Sequence, residues 1–247
     1  MQAATRTQDL RQWLARQGVS GETAVRHPRR TFVTGLRGID ELAKGGFVRG
    51  AVHEILQGGA VPPVMLGMLL ARAAAAGTSG VIVVSDPRGV IYPPALAGLG
   101  VEPERVWVLR VTSPVDEVWA LAECLRCKGV AAVLASPGKL GPVEARRLQL
   151  AAECGGGIGV LLRRRGMMST HYAAATRWIA TPARGDERVQ RWMVALVHGH
   201  GRLTERSVVL EVCRGTNHVR AVDGLGDRSG TTAAATGGAP AAARASA

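Results

Sequence analysis

The order in which apolar runs and helix-like segments follow one another constrains this chain most. The runs 51–56, 81–85, 106–111, 130–136 and 158–162 are nearly continuous in apolar residues, as strands buried on both faces are. Between them, segments 62–76, 93–99, 114–128 and 141–154 read as helices. Strict alternation of this kind predicts an α/β fold, a mainly parallel sheet flanked by helices. After Leu162 the pattern becomes β-rich at 176–180, 192–197 and 207–213, with polar or glycine turns between. These segments are expected to add antiparallel strands at the C-terminal side of the sheet.

A length of 247 residues suits one folded domain with loose ends. Residues 1–30 read as an N-terminal element: Leu10, Trp13 and Leu14 recur at helical spacing between Thr7 and Gln17, and a basic, turn-prone link follows. Residues 31–223 form the expected domain. Beyond it, 224–247 are rich in Gly, Ala, Thr and Ser without periodicity, so a disordered tail is expected. Aromatic residues make up only 4%, which leaves the core to Val, Leu, Ile and Ala.

The stretch Glu54-Ile-Leu-Gln-Gly-Gly-Ala-Val-Pro-Pro-Val-Met65 occupies the position of a phosphate loop, between the first long strand and its helix. Such a loop needs G-x-x-x-x-G-K-[ST]: backbone N–H groups cradle phosphate, the lysine neutralises it and the hydroxyl holds Mg²⁺. Gly58 and Gly59 are present, but Pro63 stands in the lysine's place and Val64 in the hydroxyl's. Pro62 and Pro63 also lack the N–H groups that a phosphate cradle uses. The expectation is a degenerate phosphate loop, with no cofactor, no metal site and no ATP hydrolysis.

The formal net charge is +12, supplied mainly by arginine. A field of that sign attracts phosphate polymers, acidic protein surfaces or anionic headgroups. No uninterrupted apolar run is long enough to span a bilayer, and Met1 to Gly18 has no apolar signal core. A cytoplasmic protein is expected, in keeping with four cysteines in a reducing compartment.

The segment Thr34-Gly-Leu-Arg-Gly-Ile-Asp-Glu-Leu-Ala-Lys-Gly-Gly-Phe-Val-Arg-Gly50 resembles the lead-in to a RecA-type core. Thr34, Gly35, Ile39, Asp40, Gly45, Gly46 and Gly50 carry that resemblance, which runs from about Val33 to Val212. The resemblance implies further catalytic positions, and the chain departs from each. Ala135 stands where a magnesium-binding aspartate ends a strand, Arg88 falls near the carboxylate that would activate water, and Arg164 lies where a glutamine would sense the γ-phosphate.

Within this group the chain resembles the ImuA family, the inducible mutagenesis proteins A. His53-Glu54-Ile55, Arg147-Leu-Gln-Leu-Ala-Ala-Glu153 and Ala173-Ala-Ala-Thr-Arg-Trp178 carry the resemblance. It implies an SOS-regulated, non-catalytic accessory of error-prone translesion synthesis, a scaffold for the polymerase-like protein ImuB and an error-prone DNA polymerase III α-subunit. RecA and single-stranded DNA are further candidate partners. Two alternatives stay open: a SulA-type cell-division inhibitor, and an atypical ATPase.

Candidate DNA or partner contacts are Arg163, Arg164 and Arg165 at the end of a strand, since clustered guanidiniums grip phosphates bidentately, together with Arg177, which begins a strand and reads equally well as structural. Cys124 and Cys127 have metal-ligand spacing, but they fall in a helical pattern without a second pair, so they read as helix-packing residues. His198 and His200 read as turn residues. Ser169 and His171 suggest no triad, because no base and orienter are identifiable.

Overall fold

The computed structural model describes residues 31–164, 174–199 and 206–222, together with Gln12. The N-terminal Leu10, Trp13 and Leu14, as well as Arg165, Ser169, His171, His200 and the tail from 224, lie outside the described residues.

Its centre is a nine-stranded sheet. The parallel part consists of β3 (Ala51–Gln57), β4 (Val81–Ser85), β5 (Val106–Leu109), β6 (Val130–Ala135), β7 (Ile158–Arg164) and β8 (Thr176–Ala183). β9 (Val189–His198), β10 (Ser207–Cys213) and β11 (Val219–Val222) continue it as antiparallel neighbours. The spatial order is β11-β10-β9-β8-β3-β7-β6-β4-β5. The C-terminal extension differs from expectation in one strand: β8 runs parallel to β3, with His53 opposite Thr176 and Ile55 opposite Trp178. Only from β9 onward do neighbouring strands run antiparallel. β11 escaped the sequence reading because only four residues separate the turn at Asn217 from the end of the pattern.

Helices cover the parallel part on both faces. α1 (Arg37–Leu42), α2 (Val64–Ala75) and α3 (Pro93–Gly98) share one apolar cluster with Ile55, Val84, Leu134, Val160 and Trp178. α4 (Pro114–Arg126) and α5 (Pro142–Gly155) share the other with Val52, Val83, Val133 and Leu161. Alternate residues of β3, β6 and β7 divide between the two clusters, which is why these strands read as unbroken apolar runs. α4 starts sharply because the Ser113 hydroxyl accepts from the Asp116 N–H and Pro114 occupies the first turn.

The glycine-rich lead-in has a structural role. A two-stranded antiparallel pair, β1 (Thr31–Phe32) with β2 (Phe47–Val48), brackets α1. The Asp40 carboxylate accepts from the N–H and hydroxyl of Thr34, both at 2.8 Å, and from the Gly35 N–H at 3.0 Å, so it ties the loop to the helix. Gly46 has φ of 137° and its α-carbon lies against the Phe32 carbonyl, where a side chain would collide.

Candidate functional site

The position for a phosphate loop lies at the C-terminal end of β3 and the start of α2, where ligands of open α/β sheets bind. Here the loop is packed against the neighbouring strand. The Gly58 N–H donates to the Ala180 carbonyl at 2.8 Å, and a β-carbon on Gly58 would run into the Thr181 hydroxyl. A β-carbon on Gly59 would meet Pro182. These glycines therefore permit close approach of β8. The Gln57 side chain donates to the Gly59 carbonyl at 2.7 Å and fixes the turn further.

The helix end offers little to an anion. Pro62 and Pro63 have no N–H, and the Val64 N–H is engaged by the Pro62 carbonyl at 2.9 Å. α2 has Pro63 at its N-cap with no side-chain cap. Pro63 and Val64 place neither a cation nor a hydroxyl there.

The other positions compared with a nucleotide site are equally distinct. Ala135 is buried among Val133, Leu140 and Leu161 at the end of β6. Arg88 is exposed in the turn after β4. The carboxylate at that turn is Asp86, which accepts from the N–H groups of Val90 and Ile91, each at 2.9 Å. Burial raises its pKa, but the N–H bonds from Ile91, Val90 and Gly89, with Arg110 nearby, outweigh that and hold it below the ordinary value. Asp86 thus organises its own loop.

The candidate arginines separate. Arg164 is exposed at the end of β7, but the other two described candidate contacts, Arg163 and Arg177, are only 5% and 6% exposed. Side chains alternate along a strand, so Arg163 points to the face opposite Leu162 and Arg164. Three adjacent strands bring Arg163, Glu54 and Arg177 onto that face: Glu54 is in register with Arg177, and Leu56 with Arg163. Arg177 donates to Glu54 Oε2 through Nε at 2.7 Å and through its NH2 group at 2.6 Å. Burial pushes the pKa of Arg163 below its ordinary value; Glu54 opposes that shift and Arg177 adds to it.

The opposite face of the same strands carries a hydrogen-bonded chain. Trp178 Nε1 donates to Thr176 Oγ1 at 2.9 Å, and Thr176 Oγ1 lies 2.8 Å from His53 Nδ1. His53 Nε2 lies 2.9 Å from the Val48 carbonyl. A carbonyl only accepts, so Nε2 carries a proton, and the Thr176 hydroxyl can donate to Nδ1. The His53-Glu54-Ile55 and Thr176-Arg177-Trp178 motifs are thus paired neighbours on β3 and β8, a relation invisible in sequence until strand order is known. A lone carboxylate within the apolar run of β3 was the available signal, since a buried charge calls for a partner.

Cys124 and Cys127 lie in α4 and at its C-cap, within the apolar cluster. Burial, with Cys127 and Glu123 adding to it, pushes the Cys124 thiol up to about 12, and burial also raises Cys127. Cys154 is exposed, and hydrogen bonds from Thr216 lower the pKa of Cys213. Alkylation of the native protein at pH 8 with readout by peptide mass is therefore expected to modify Cys154 and Cys213 at least about tenfold faster than Cys124. Equal rates would show that the α4 cluster opens readily.

No family model matches the chain. Two curated relatives, each named Protein ImuA, from Caulobacter vibrioides strains NA1000 / CB15N and ATCC 19089 / CIP 103742 / CB 15, are 32% identical to it over 127 residues. The match covers 49% of this chain and 52% of each relative, so the chain spans about half the length of the curated relatives it matches. Among solved structures, the RadB recombinase superposes with a TM-score of 0.59 at 12% identity, over 77% of this chain and 99% of that one. At that identity the superposition shows the fold. Among the described residues no helix is long and apolar enough to cross a membrane. The chain is thus similar in sequence to the ImuA proteins over about half its length, and it shares its fold with the RadB recombinase.

Proposed function

We propose that this chain is a non-catalytic accessory of error-prone translesion DNA synthesis, a scaffold that holds an ImuB-like protein and an error-prone DNA polymerase III α-subunit in the DNA-damage response. The observation that carries this reading is the loop after β3. Its glycines are filled by Thr181 and Pro182, and its lysine and hydroxyl positions hold Pro63 and Val64. A nucleotide-driven motor needs charge and metal at those positions. A scaffold needs only a rigid body with surfaces to offer, and the likeness to the ImuA relatives supplies the biological setting.

On this reading single-stranded DNA, where it is touched, meets Arg164 at the end of β7 together with Arg165. Arg163 and Arg177 serve the interior instead. The test is deletion of the gene followed by measurement of damage-induced mutation frequency. The expected result is a clear fall in damage-induced mutation frequency with near-normal growth in undamaged cells. An unchanged mutation frequency contradicts the proposal.

A further inference from the structure

We propose that the outer face of α5 docks an acidic amphipathic helix of a protein partner. α5 buries Leu148, Ala151, Ala152 and Gly155 against the sheet and α4. Its other side carries Val143, Arg147, Leu150 and Cys154, spaced four, three and four residues apart, as one stripe of a helix. Val143 is 72% exposed and Leu150 46%. They sit in an open groove of about 520 Å³ bounded by Pro142, Arg146, Arg147 and Arg126 of α4.

The groove's chemistry selects the occupant. Its apolar centre is made of Val143, Leu150 and Pro142, and all its charged residues are arginines. Arg126 bonds to Glu123 and Arg146 lies 4.0 Å from Glu153, whereas Arg147 makes no ion pair among the described residues. An apolar stripe flanked by cations fits a helix whose leucines are flanked by glutamate or aspartate. A nucleic acid fits less well, because no aromatic side chain lines the groove for bases to stack on.

This inference deepens the scaffold reading and rests on it only in requiring a protein partner. The probe is a synthetic amphipathic peptide of about 20 residues with leucines at heptad spacing and glutamates beside them, titrated onto the full-length protein by fluorescence anisotropy. Binding is expected to weaken with salt, and to fall at least about tenfold in Leu150→Asp and in the double variant Arg146→Glu/Arg147→Glu. The double variant is expected to prefer the peptide with lysines in place of glutamates, a swap of preference that simple unfolding does not produce.

Absence of acidic-peptide binding, binding unaffected by these variants, or variants that lose only oligonucleotide binding would each overturn the proposal. If it fails while gene deletion still lowers induced mutagenesis, the scaffold reading stands and the surface is wrong. If the peptide results hold while deletion leaves mutagenesis unchanged, the surface stands and the biological setting is wrong.

Discussion

Replacement of Glu54 by Gln is expected to destabilise the fold by about 3–5 kcal/mol, because removing one member of a buried ion pair leaves the other charge uncompensated. Arg177, bonded to Glu54 through two nitrogens, and Arg163, whose charged form Glu54 favours, are both buried. For a domain of this size such a loss lowers the melting temperature by on the order of 10 °C. The paired variant Glu54→Leu/Arg177→Leu is expected to recover only part of it, since the attraction of the Glu54 carboxylate for the Arg163 charge is lost as well. Urea or thermal unfolding gives both numbers. A Glu54→Gln protein within about 1 kcal/mol of the parent would mean that water, not Glu54, solvates the two guanidiniums.

Trp178→Ala is expected to cost a similar amount, about 3–5 kcal/mol, through a different mechanism. The indole is 2% exposed and stacks on Phe47 with ring centroids 5.3 Å apart. Its N–H also starts the hydrogen-bonded chain through Thr176 to His53 and Val48. Truncation therefore leaves a cavity where β2, β3 and β8 meet. Trp178→Phe keeps most of the volume but not the N–H donor, and is expected to cost about 1–2 kcal/mol. Equal losses in the two variants would assign the effect to the hydrogen bond, and a negligible loss in the alanine variant would contradict the burial.

The alternating apolar runs were sufficient to foresee the layers. β4 and β10 fall on the expected residues, and β3, β6 and β7 end one or two residues from them, because continuous burial on both faces leaves an unambiguous pattern. Direction and register were less legible. Thr176-Arg177-Trp178 alternates like any strand, and nothing local says that it runs parallel to β3 rather than against it. Arg163 and Arg177 read as candidate DNA or partner contacts for the same reason: Glu54, which Arg177 pairs with, is 123 positions away from it, and only the strand order brings the three residues onto one face. The loss of the lysine and hydroxyl after β3 could be read directly from Pro63 and Val64. That Gly58 and Gly59 are occupied by β8 could not, because the contact with Thr181 and Pro182 exists only in three dimensions.

The closed loop after β3 is most directly tested by nucleotide turnover. The purified full-length protein, mixed with ATP and Mg²⁺ with and without single-stranded DNA, is expected to release no phosphate above the buffer rate. Turnover that disappears when Gly59 is changed to Val, with the fold retained by circular dichroism, would show that the loop opens to nucleotide and would contradict this account.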